Sequence, residues 1–114
     1  MHVHQEEILL VEDDASLRKL LEEELGDAGL QVVSCADARC ALQVLEQKPV
    51  ALVVSDLRLP GKDGMWLLEQ VQQRTPAPGF IIMTAFGTVT QAVEALKQGA
   101  DDFITKPVDL DHLI

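Results

Sequence analysis

Oxygen-bearing or charged side chains stand where this chain's apolar runs stop. Ile8-Leu9-Leu10-Val11 ends in Glu12-Asp13-Asp14, and Val50-Ala51-Leu52-Val53-Val54 ends in Ser55-Asp56. Phe80-Ile81-Ile82-Met83 ends in Thr84, and Asp102-Phe103-Ile104-Thr105 leads to Lys106. Read singly, Asp56 is either a turn or cap residue or a reactive group, Thr84 a strand-end hydroxyl, and Lys106 a surface lysine. Read together, they define a chemistry. Crowded carboxylates repel one another, and a bound cation is the usual remedy. An all-oxygen set suits Mg²⁺, which keeps several waters and takes one or two carboxylates. A hydroxyl and an ammonium beside it add a donor and a positive charge. That combination suits acceptance of a phosphoryl group while a carboxylate attacks.

Such a site needs elements that bring four strand ends to one rim. The apolar runs 8–11, 50–54 and 80–83 read as strands buried on both faces, as in a parallel sheet. Leu30–Val33 reads as a further strand and Asp102–Thr105 as a short fifth one. Between them lie helical patterns. Leu17, Leu20, Leu21, Leu25 and Ala28 form one stripe, with Asp14 as N-cap and Gly29 as stop. Ala38, Ala41, Leu42 and Leu45 form a second behind Asp37, ended by Lys48-Pro49. Met65, Leu68 and Val71 follow an Asp63 cap, and the Pro60-Gly61 pair ahead of it marks a loop. Thr88-Val89-Thr90-Gln91 has the form of a capping box, opening a helix with Val89, Ala92, Val93 and Leu96 on one face and Gly99 at its end. Asp109 can cap a last helix that the sequence cuts off at Ile114. Strands alternating with helices predict right-handed βαβ units and a parallel sheet, whose strand ends meet at a topological switch point.

Composition narrows the partners. A chain of 114 residues suits one domain, and its hydrophobic fraction of 47% suits a globular one. No apolar run reaches membrane-spanning length, and the polar start predicts no signal peptide. Nine basic against nineteen acidic side chains give a net charge of −10, which opposes direct nucleic-acid binding. Cys35 and Cys40, lacking a partner pair or histidines at ligand spacing, read as small buried or semi-buried residues rather than a zinc site, a usage suited to a reducing cytoplasm. His2 and His4 read as part of a solvated, frayed end.

Val11-Glu12-Asp13-Asp14, Asp56-Leu57-Arg58-Leu59-Pro60-Gly61-Lys62-Asp63-Gly64, Thr84-Ala85 and Lys106-Pro107 together resemble the bacterial response-regulator receiver domain, in order and spacing, over nearly the whole chain. The resemblance implies a flavodoxin-like three-layer α/β/α sandwich with strand order 2-1-3-4-5. It implies Asp56 as phosphoacceptor, charged from the phosphohistidine of a sensor histidine kinase or from a small acyl phosphate. Asp13 and Asp56 would ligate Mg²⁺ with the Arg58 backbone carbonyl, and Glu12 directly or through water. Thr84 would hydrogen-bond the phosphoryl group, Lys106 would pair with it, and Phe103 would occupy the switch-aromatic position. Lys106-Pro107 resembles the family's cis peptide.

A finer resemblance joins 84–89, 92–100 and 102–107 to the receivers of NtrC-type, sigma-54-dependent activators. It implies that residues 1–114 are a receiver with a truncated last helix, and that output domains, if any, lie beyond Ile114. Repacking of the fourth helix and fifth strand would offer Val89, Ala92 and Phe103 to a partner or to a second copy, on a face completed by the fifth helix. The domain would handle its own phosphoryl transfer and slow dephosphorylation without being a turnover enzyme, and would be cytoplasmic. The rival is an inactive receiver-like interaction module. A flavodoxin-type flavin binder fits poorly, because Glu12-Asp13-Asp14 would repel a phosphate. A haloacid-dehalogenase-type phosphatase would need an Asp-x-Asp after the first strand, which is absent.

Overall fold

Burying both faces of a continuous apolar run requires helices above and below it, and the fold supplies them. The computed structural model describes residues 7–85 and 89–106, the side chain of Val89 excepted. Along them run β1 (Glu7–Val11), α1 (Ala15–Asp27), β2 (Gln31–Cys35), α2 (Ala38–Gln47), β3 (Leu52–Asp56), α3 (Gly64–Gln72), β4 (Gly79–Thr84), α4 (Val89–Lys97) and β5 (Asp102–Thr105). All strand pairs are parallel, in the order β2-β1-β3-β4-β5. The order reverses between β1 and β3, so their C-terminal ends flank the switch crevice. This is the expected flavodoxin-like sandwich.

Alternation along the strands sends side chains to two cores. Leu9, Val11, Val53, Phe80 and Ile82 join Ala41, Leu45, Leu67, Leu68, Val71 and Ala95 beneath α2, α3 and α4. Ile8, Leu10, Val54 and Met83 meet Leu21 of α1 on the other face. Burying a side chain such as Phe80 contributes about 1.5–3 kcal/mol. Three of the five anticipated caps lie among the described residues and form. Asp14 Oδ1 accepts the amides of Ser16 and Leu17, Asp37 that of Cys40 and Asp63 that of Trp66. The α1 and α4 turns close on Gly29 at φ 92° and Gly99 at φ 118°, where a side chain would be strained.

Several readings need correction. β3 runs two residues later than its apolar run, because the ladder continues through polar residues: Val11 pairs with Ser55 and Asp56 with Met83. The buried Ser55 hydroxyl is satisfied by donating to the Asp56 carbonyl. β2 likewise extends to Cys35, and Ser34 reaches Glu22 of α1. In α1, Leu21 and Leu25 are buried, but Leu20 is 49% exposed and Ala28 lies at the surface. In α4, Ala92 and Ala95 are fully buried while Val93 is 41% exposed, so Ala92 belongs to the core rather than to an offered face. Cys35 and Cys40 are not separate thiols: a disulfide joins them. The Thr88 cap, the Val89 side chain, the Lys106-Pro107 peptide and the helix behind Asp109 lie outside the described residues.

Candidate phosphoacceptor site

The ends of β1 and β3 lie side by side because their registers match, and β4 and β5 finish beside them. Asp56 is the last residue of β3, 7% exposed. Its Oδ1 accepts the Arg58 amide at 3.2 Å, and its Oδ2 meets the Lys106 ammonium at 2.6 Å. Glu12 follows β1, fully buried; its Oε2 accepts the Asp14 amide, and its Oε1 pairs with Lys106 at 2.7 Å. One ammonium therefore bridges two buried carboxylates. Asp13 stands exposed at the rim. A carboxylate oxygen from each of Glu12, Asp13 and Asp56 lies within 4.8 Å of the other two. Asp13, Asp56, Arg58, Thr84 and Lys106 line a cleft of about 270 Å³.

The charges perturb one another. Burial pushes the Glu12 carboxyl above its ordinary value of 4.5, with the Asp56 charge adding to the rise. Lys106 and the Asp14 amide oppose that rise without cancelling it. For Lys106, burial favours the neutral amine, but hydrogen bonds and charge from Asp56 and Glu12 outweigh it and hold the ammonium above its ordinary 10.5. The donor set fits a hard divalent cation. It is all oxygen and net negative, and Asp13, its exposed member, makes no ion pair among the described residues.

Residues 8–114 match the response regulator receiver domain family. The chain belongs to that family. Among curated proteins, the receiver is 42% identical to the response regulator protein FleR of Pseudomonas aeruginosa over 94% of the chain. That match covers 23% of FleR's own length. It is 40% identical to the DNA-binding transcriptional regulator NtrC of Escherichia coli, over 94% of the chain and 23% of NtrC, which bears out the NtrC-type resemblance. The chain thus spans about a quarter of these relatives. A solved response regulator from Chloroflexus aurantiacus superposes with a TM-score of 0.90 at 28% identity, covering 96% of this chain and 92% of that one. The receiver domain of NtrX from Brucella abortus gives 0.87 at 33% identity, covering 93% and 90%.

The receiver brings Asp13, Asp56, Arg58, Thr84 and Lys106 to one cleft, with Glu12 directly behind them. Phe103 is half-buried against the larger core and does not line that cleft. Thr84 is fully buried, its hydroxyl 3.4 Å from the Ala85 carbonyl. The Arg58 side chain is exposed, and Trp66 is half-buried with the Lys62 ammonium 5.7 Å from its ring centroid.

Two supports escaped the sequence reading. Arg18 of α1 donates to the Glu12 carbonyl at 2.8 Å, pinning the acidic tip from the helix that follows it. Its place one turn beyond Asp14 is the only cue. Gly64 opens α3 so close beneath β3 that a Cβ there would overlap the Asp56 carbonyl oxygen. A glycine directly after the Asp63 cap is the visible cue.

Proposed function

We propose that this receiver accepts a phosphoryl group on Asp56 and uses it as a switch. Supporting this most directly is the single ammonium of Lys106, which lies 2.6 Å from Asp56 and 2.7 Å from Glu12 at the mouth of the switch crevice. Asp13, Asp56 and the Arg58 carbonyl would hold Mg²⁺, with Glu12 acting directly or through water. When bound, Mg²⁺ would supply charge neutralisation at the equatorial oxygens of the transferring group. An Asp56 oxygen attacks phosphorus in line and the donor's oxygen or nitrogen leaves with the bonding pair, giving an acyl phosphate on Asp56. The Arg58 amide keeps the carboxylate oriented. Lys106, freed from its contact with Asp56, follows the added charge, and the Thr84 hydroxyl donates to a phosphoryl oxygen.

Receiver domains of response regulators partner with sensor kinases; here the donor is the phosphohistidine of such a kinase. The chain performs its own transfer and slow dephosphorylation, and any ATPase belongs to output domains beyond residue 114. Its likeness to NtrC over a quarter of that protein supports a transcriptional output, of the sigma-54-dependent kind, in the cytoplasm. None of the described helices is long and apolar enough to cross a membrane. Dimerisation through α4, β5 and the segment after Lys106 completes the switch, with Val93 exposed on that face. Incubation with acetyl phosphate and Mg²⁺ tests the reading: intact mass should rise by one phosphoryl group, and Asp56→Asn should abolish the gain. Equal gain in both proteins would overturn it.

A further inference from the structure

Cys35 and Cys40 stand apart from the phosphoacceptor chemistry, yet next to its backbone. Cys35 is the last residue of β2, 3% exposed and packed into the larger core. Cys40 is the third residue of α2 and half-buried, with a route to solvent that Cys35 lacks. Their Cα atoms are 5.7 Å apart, inside the span a disulfide bridges without backbone movement. The Cys35 carbonyl accepts the Glu12 amide at 3.0 Å, and the Cys40 amide caps onto Asp37. The bond therefore fastens the turn beside the acidic tip to the start of a helix.

We propose that Cys35 and Cys40 form a redox modification site that closes and opens by thiol–disulfide exchange with low-molecular-weight disulfides. Unequal access sets the order of events. The Cys40 thiolate attacks one sulfur of the external disulfide, whose other sulfur leaves with the bonding pair as a thiolate. The Cys35 thiolate then attacks the Cys40 sulfur and expels the second external thiolate. Two protein thiols and one external disulfide become one protein disulfide and two external thiols, the protons passing to the departing thiolates. Disulfides in a reducing compartment are commonly transient or sensing ones, and a pair one step from the surface suits that use.

Titrating the 114-residue chain with reduced and oxidised glutathione, with thiols counted by maleimide mass shift, tests the site. The wild type should lose both maleimide labels together as the oxidised fraction rises, retaining no glutathione. Cys35→Ser should keep one glutathione on residue 40, and Cys40→Ser should keep none. Retention of both free thiols at every ratio, accumulation of a glutathione adduct on the wild type, or modification of Cys40→Ser in place of Cys35→Ser would overturn the proposal. The wild-type arm needs no variant to fold. Labelling of Asp56→Asn should match the wild type, so failure here is separable from failure of the phosphoacceptor reading.

Discussion

Replacing Gly64 with alanine should damage the site without touching any ionisable group. The new Cβ would overlap the Asp56 carbonyl oxygen and stand 3.0 Å from Leu57 Cα and 3.1 Å from the Leu57 carbonyl oxygen. All three are backbone atoms, so no rotamer relieves them. Because ordinary contact begins at 3.4 Å, Leu57 must retreat by several tenths of an ångström and the Asp56 carbonyl by more. Overpacking of this kind costs about 1–3 kcal/mol. Restricting the unfolded chain returns about 0.4–1 kcal/mol. The net loss is about 1–2 kcal/mol, or some 3–8 °C in melting temperature for a chain of this length. On the proposed phosphoacceptor reading, displacing the Asp56 carboxylate by most of an ångström should slow phosphorylation by about 10²-fold. Gly26→Ala in α1 is the control: nothing lies within 4 Å of its Cβ, so it should gain about 0.5–1 kcal/mol and phosphorylate normally. Thermal melts and acetyl phosphate labelling of both variants would decide. A Gly64→Ala protein as stable and as fast as wild type would refute the close-approach argument.

Lys106→Met leaves Glu12 buried beside Asp56 with no cation, and should cost about 1–3 kcal/mol at neutral pH in urea melts, less as pH is lowered and Glu12 takes up a proton. Removing the α1 cap with Asp14→Ala, which deletes two amide hydrogen bonds, should cost about 1 kcal/mol by the same assay. The pH dependence has a definite sign. Glu12 titrates above its ordinary 4.5 in the folded chain, so the folded state holds more protons than the unfolded one across that window. Its contribution is present below 4.5 and lost as pH rises through the folded value, so wild type should lose stability relative to Glu12→Gln as pH is raised from about 4.5 toward neutrality. A constant difference between the two would contradict the burial effect.

Most of the fold was legible because parallel strands announce themselves as apolar runs and helices as stripes behind aspartate caps. The candidate site was legible because its side chains sit at the ends of those runs. What the pattern could not convey is how polar residues are satisfied. The apolar run of β3 stops at Val54, and Ser55 and Asp56 have the character of loop residues, yet both are buried in the ladder once the Ser55 hydroxyl donates to a carbonyl and Asp56 meets Lys106. Leu20 and Val93 fit helical stripes but face outward, since the buried arc of each helix is narrower than its apolar one. The Cys35–Cys40 bond depends on how β2 turns into α2, a geometry that spacing alone does not fix.

Calorimetric titration with Mg²⁺ tests the central claim most directly: that acidic tips of β1 and β3 hold a divalent ion against Asp56. The account predicts one binding site on the wild type, abolished or weakened at least tenfold in Asp13→Asn and in Asp56→Asn, each still folded by circular dichroism. An absence of binding to the wild type, or affinity unchanged in both variants, would contradict it.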